Sequence, residues 1–187
     1  MISLPEQFKQ VAIPHMREKF GYKNDMAVPK ITKVVVNTSF GKLTTGKTKS
    51  ETAALYEPIV TDMATITGQK PVVTDAKKSI STFKLRQGMP VGAKVTLRGK
   101  KMNAMIEKVV NIVLPRTRDF EGLNIKSVDK TGNLSIGIKE HIVFPEISAE
   151  KIKRLFGLEV VITTTAKTHE EGLELFRSLG FPIKKDA

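Results

Sequence analysis

Residues 41–48 read GKLTTGKT. The spacing matches G-x-x-x-x-G-K-[ST], a loop that cradles nucleotide phosphates on backbone N–H groups. In such a loop Lys47 would neutralise phosphate and Thr48 would hold magnesium. The immediate flanks fit, since a β-branched strand ends near Phe40 and a helix begins near Ser50. The wider chain does not. A phosphate loop of this kind needs a buried parallel sheet of near-continuous apolar strands, one of them ending in an Asp that reaches the metal. Only PVVTD at 71–75 offers such a strand, and it runs straight into a lysine-rich loop. Other catalytic chemistry is thinner still. His15, His141 and His169 are scattered without ligand spacing. The absence of cysteine excludes disulfides, thiol chemistry and Cys-ligated zinc. No G-x-S-x-G elbow is present. Glu170 and Glu171 fall in a first helical turn, where the helix dipole accounts for them. The sequence points to no catalytic residue, no metal site and no cofactor.

Charge says more. The 187-residue chain carries a formal net charge of +12. Such a balance favours polyanions, with nucleic acid ahead of a membrane surface. Residues 1–67 hold nine basic and six acidic side chains, and residues 102–187 hold thirteen and twelve. Residues 68–101 hold nine against one, Asp75. Two-thirds of the excess therefore sits in 34 residues, as an electrostatic footprint does. No apolar run approaches a membrane span, and the N-terminus lacks the layout of a signal peptide. The expectation is one cytoplasmic domain over 1–187.

The elements that must carry this charge are legible. A helix is expected over 3–20, broken before Pro14. PKITKVVVNTSF reads as a strand. A helix over about 50–67 places Leu55, Ile59, Met63 and Ile66 on one face and closes at Gly68. A short strand at 71–74 leads into a cationic loop at 75–90, expected to be flexible and to order only on binding. The strand 91–98 follows. A helix over 100–114 puts Met102, Met105, Val109 and Ile112 on one side and stops at Pro115. Strands are expected near 134–139 and 158–166, and a last helix opens on a Thr168–Glu171 capping box.

These segments do not alternate strictly as strand and helix, which favours an α+β fold with a mostly antiparallel sheet. Each strand has an apolar face for helices to cover, such as Val91, Ala93, Val95 and Leu97. Each also has an open face of Lys, Arg, Asn, Thr, Ser and Gly, such as Gly92, Lys94, Thr96 and Arg98. A polar outer face can simply meet water. Here cations outnumber acids on it, which suits an RNA platform. Without exposed aromatics, backbone and groove contacts are favoured over base stacking. Phe83, within the loop, has two readings, packing back on the core or stacking on RNA, and the core is the expected one.

The blocks PKITKVVVNTSFG at 29–41, TGQKPVVTDAKKSISTFKLRQGMPVGAKVTLRG at 67–99, LPRTRDFEGL at 114–123, HIVFPEI at 141–147 and GLEVVITTTAK at 157–167 resemble the bacterial family of large-subunit ribosomal protein number five. The likeness spans nearly the whole chain in the family's order. It implies a structural ribosomal protein rather than an enzyme, with a 5S rRNA partner in the central protuberance. It also implies contacts with 23S rRNA, the elbow of the P-site tRNA, neighbouring large-subunit proteins, and a small-subunit protein across an intersubunit bridge. By resemblance Asn37, Gln69, Thr96 and Arg98 are the main 5S rRNA contacts, with Lys33, Lys70 and Lys94 adding phosphate charge. The loop residues Lys77, Lys78, Ser79, Ser81, Lys84, Arg86 and Gly88 would reach tRNA. Arg116, Arg118, His141, Phe144 and Glu146 would face the bridge partner. The GKLTTGKT loop looks more like a phosphate loop than the family requires. It is read as a lysine-bearing segment near RNA phosphates.

Overall fold

Alternation of β-branched and polar residues builds the sheet. The computed structural model describes residues 3–45, 47, 49–118, 120–148, 152 and 154–184, with backbone alone at 49 and 50. Its strands are β1 (Ile31–Ser39), β2 (Val72–Asp75), β3 (Pro90–Leu97), β4 (Leu134–Ile138) and β5 (Leu158–Thr164). They form one antiparallel sheet in the order β2-β3-β1-β5-β4. The helices are α1 (Leu4–Gln7), α2 (Ile13–Phe20), α3 (Gly41–Thr44), α4 (Lys49–Thr67), α5 (Gly99–Lys108), α6 (Leu114–Arg116) and α7 (His169–Ser178). The fold is α+β, as the lack of strict alternation predicts.

The expected strand faces are the observed ones except at the start of β3, where Val91 is half-buried and Gly92, expected on the open face, is buried against the Thr38 carbonyl. Val34 and Val36, Ala93, Val95 and Leu97, Leu134, Ile136 and Ile138, and Leu158, Val160 and Ile162 are all buried. Lys94, Ser135, Gly137 and Glu159 on the alternate positions are exposed. Period-two alternation turns every second side chain inward.

The prolines act differently from expectation. The first helix does not break before Pro14. A π-helical turn, Phe8–Ala12, joins α1 to α2, and the Ile13 N–H reaches back to the Phe8 carbonyl. A second π-turn, Val109–Val113, precedes Pro115, with the Leu114 N–H bonded to the Val109 carbonyl. In a regular α-helix the proline ring collides with the carbonyl four residues back. The wider turn makes room for it. The helix therefore continues through Pro115 to Arg116. The extra residue in that turn also rotates the face. Val113 is buried at 0% exposure, while Ile112, expected inside, is 40% exposed.

Two compact units divide the chain. The first comprises Met1–Val34, Leu97–Ile136 and Val161–Ala187. In it the carboxylate of buried Glu174 meets Lys19 Nζ at 2.9 Å, Arg177 Nη1 at 3.0 Å and His15 Nε2 at 3.1 Å. Burial works against the charged carboxylate, but the hydrogen bonds from Lys19, His15 and Arg177 outweigh it and hold its pKa at about 2. Thr168 caps α7 by accepting the Glu171 N–H at 3.3 Å. The Glu171 carboxylate closes only part of the expected box, accepting from the Lys167 N–H at 2.8 Å.

The second unit comprises Val35–Thr96 and Gly137–Val160. There Ile59, Met63 and Ile66 of α4 are buried, as their spacing predicts. Phe40 stacks on Tyr56 with ring centroids 5.3 Å apart. Pro58 sits inside α4 without ending it.

Candidate nucleic-acid interface

Cross-strand pairing assembles most of the predicted RNA contacts. β2 pairs with β3 so that Val72 lies opposite Lys94 and Thr74 opposite Gly92. In the second unit the Phe40 N–H donates to the Val91 carbonyl at 3.0 Å. Carried along the antiparallel β1–β3 pair, this bond sets Asn37 opposite Lys94. Gly92 allows the strands to meet: a Cβ there would lie 2.7 Å from the Thr38 carbonyl oxygen. Asn37, Lys33 and Thr96 are half-buried, while Lys94 and Arg98 are exposed. Exposed Gln69 donates its amide to the Thr96 carbonyl at 3.3 Å, and Lys70 beside it is exposed.

The segment 75–90 has a hydrogen-bond framework of its own. Ala76 and Met89 are joined at 2.8 Å, and the Gly88 N–H donates to the Ala76 carbonyl at 2.9 Å. Ile80 and Leu85 exchange backbone bonds of 3.0 and 3.1 Å. The Ser79 hydroxyl accepts the Gln87 N–H at 2.9 Å. This makes a hairpin arm whose tip is Ser81–Phe83 and Lys84. Lys77, Lys78, Ser79, Ser81, Lys84, Arg86 and Gly88 are all exposed on it. Phe83 does not pack on the core; it is 65% exposed. Its neighbours are Ser, Thr and Lys, and no apolar period runs through the tip to bury it.

The bridge residues separate. Arg116 and Arg118 are exposed in the first unit, and Glu146 is exposed in the second. His141 and Phe144 are each 0% exposed. His141 stacks on Phe156 at 4.0 Å and accepts the Phe156 N–H at Nδ1, 3.4 Å away. Its Nε2 lies 3.7 Å from the Asp62 carboxylate and has no hydrogen-bond partner. Desolvation pushes the His141 pKa down, partly opposed by the Asp62 charge and by the Phe156 backbone. These two side chains are core and have no exposed surface to offer a partner.

The phosphate-loop reading fails on geometry. The N–H groups of Leu43, Thr45 and Lys47 donate to the carbonyls of Phe40, Gly41 and Thr44 at 2.8, 3.2 and 3.3 Å. Thr44 is buried, with its hydroxyl 3.1 Å from the Gly41 carbonyl and 3.0 Å from that of Pro90. These three N–H groups, which a phosphate loop would turn to a nucleotide, are therefore spent within the chain. Gly46 and Thr48 lie outside the described residues. Among the described residues no cluster of His, Asp or Glu could hold a metal ion, and no helix is long and apolar enough to cross a membrane.

Charge pairing differs sharply along the sequence. Arg17, Lys19, Arg177 and Lys184 all sit within 3.0 Å of a carboxylate oxygen. Among the described residues no carboxylate pairs with Lys70, Lys77, Lys78, Lys84, Arg86, Lys94 or Arg98.

A sequence model of ribosomal protein L5 matches residues 24–86, and one of the ribosomal L5P family C-terminus matches residues 90–183. The chain belongs to the ribosomal protein L5 family. It is 50% identical over 185 residues to the "Large ribosomal subunit protein uL5" of Halothermothrix orenii, covering 99% of this chain and 100% of that protein. The protein of the same name from Alkaliphilus oremlandii is 49% identical over 99% of this chain and 100% of its own length. That from Dictyoglomus thermophilum is 50% identical over 97% and 98%. As a member of this L5 family the chain is a structural ribosomal protein and not an enzyme.

Proposed function

We propose that this chain is a cytoplasmic large-subunit ribosomal protein whose sheet grips 5S rRNA and whose arm reaches a second RNA. One observation carries the reading: Lys94 stands on an ordered strand and Lys77, Lys78, Lys84 and Arg86 on a hydrogen-bonded hairpin, yet among the described residues none of them pairs with a carboxylate. Unpaired like charges repel one another, and RNA phosphates offset that repulsion. Lys33, Lys70, Lys94 and Arg98 supply phosphate contacts, with Arg98 able to bind bidentately. Asn37, Gln69 and Thr96 supply hydrogen bonds to base edges or 2′-hydroxyls, which distinguish RNA from DNA. The arm suits the elbow of the P-site tRNA, with exposed Phe83 available to stack on a base. Contacts with 23S rRNA and neighbouring large-subunit proteins complete the anchoring of 5S rRNA in the central protuberance. Arg116, Arg118 and Glu146, all exposed, would meet a small-subunit protein at an intersubunit bridge.

The test is equilibrium binding of the purified chain to 5S rRNA, to an unrelated RNA of equal length and to heparin. A preference for 5S rRNA that survives moderate salt is expected. Equal binding to all three, lost together as salt rises, would make this a nonspecific polyanion binder instead.

A further inference from the structure

Lys47 of GKLTTGKT stands apart from every contact assigned above. It is exposed and lines a cavity of about 700 Å³ with Ser79, Ser81, Lys84 and Arg86 of the arm. It also lines a second cavity, of about 440 Å³, again beside Arg86. Three cations from two distant stretches of sequence thus border one basin, and among the described residues none pairs with a carboxylate. The Ser79 hydroxyl oxygen accepts from the Gln87 N–H, which leaves its own proton to donate. Lys84 is held at φ +50°, the one non-glycine among the described residues with positive φ. The Ile80–Leu85 bonds and a 2.9 Å bond from the Lys84 N–H to the Ser81 carbonyl fix it there. Backbone strain of this kind persists where the surroundings impose it, and it gathers at binding sites.

Donors without a matching acidic partner call for an anion. A free nucleotide is disfavoured, because the N–H groups of Leu43, Thr45 and Lys47 are already bonded to carbonyls within the chain. We infer that Lys47, Lys84 and Arg86 form one pocket for an RNA phosphodiester, so that the segment 41–48 and the arm hold the same backbone. This rests on the arm being an RNA contact.

The experiment measures binding of the full chain to deacylated tRNA across a salt series, for Lys47→Ala, Arg86→Ala, the two together, and Lys47→Arg. Each alanine variant is expected to bind about tenfold more weakly and to reduce the salt slope by about 0.7–0.9. The double variant should lose less than the product of the single losses, because the two side chains share one phosphate. Lys47→Arg should retain affinity. Wild-type binding by Lys47→Ala, with Arg86→Ala weakened, would overturn the shared pocket and leave the arm's role intact. No effect from either variant would overturn both. Lys47-dependent binding of ATP or inorganic phosphate in the absence of RNA would mark a small-anion site and overturn the inference as well.

Discussion

Phe83 leaves 65% of its surface in water at the tip of a cationic hairpin. An aromatic left there contributes little to folding, so Phe83→Ala should leave thermal stability within about 0.5 kcal/mol of wild type. If the ring stacks on a base, the same change should weaken tRNA binding by about 1–3 kcal/mol. Unchanged tRNA binding would remove the stacking role. His141 presents the opposite case, a polar ring sealed in the core. Its folded pKa lies below the ordinary 6.5. Above pH 6.5 both folded and unfolded chains carry it neutral, and its stability contribution is whole. As the pH falls through 6.5 the unfolded chain takes the proton first, and stability is lost until the folded chain also titrates. His141→Phe should flatten that loss between about pH 7 and 5, read from denaturant midpoints across the range. At pH 7 it should cost about 1–3 kcal/mol, since it leaves the buried Phe156 N–H without its Nδ1 acceptor. Glu174 acts lower. Its stability contribution is present above about 4.5 and is lost as pH falls through about 2. Glu174→Gln should cost about 2–3 kcal/mol at pH 7, because three donors lose their charged acceptor.

At the scale of elements, α7 meets the turn before β4 so closely that backbone touches backbone. A Cβ on Gly172 would lie 2.3 Å from Gly132 Cα. Helix propensity alone favours Gly→Ala in a helix by about 1 kcal/mol. The clash should win, so Gly172→Ala is expected to lower stability by about 1–3 kcal/mol in thermal unfolding. A gain in stability would show that the contact yields. The strands were legible because β-branched residues alternate with polar ones, and Val34, Val36, Leu134, Ile136 and Ile138 are buried as that rule requires. The π-turns were not. Each depends on a proline that follows it, and a single-residue phase shift leaves no mark in the three-four-three spacing of Met102, Met105, Val109 and Ile112. That is why Ile112 was placed inside and Val113 carries the contact instead. The arm's hydrogen bonds were also hidden, since lysine, serine and glycine composition reads the same in a hairpin as in an unstructured loop.

Across the whole molecule, pairing divides particular cations. Among the described residues Arg17, Lys19, Arg177 and Lys184 find carboxylates, whereas Lys94 on the strand and Lys77, Lys78, Lys84 and Arg86 on the arm do not. The uneven charge was readable from composition, and so was the polar face, because both follow from residue type and order. Which cations stay unpaired was not, because pairing is set by tertiary contacts such as the meeting of Lys19 with Glu174. Burial of His141 and Phe144 was likewise invisible in a short segment with no clear period. The most direct measurement compares 5S rRNA binding by wild type and by the Thr96→Ala, Arg98→Ala double variant across a salt series. The variant should lose the preference for 5S rRNA over an unrelated RNA, with the salt slope reduced by about 0.7–0.9. An unchanged preference and slope would contradict a shaped RNA site on the open face of the sheet.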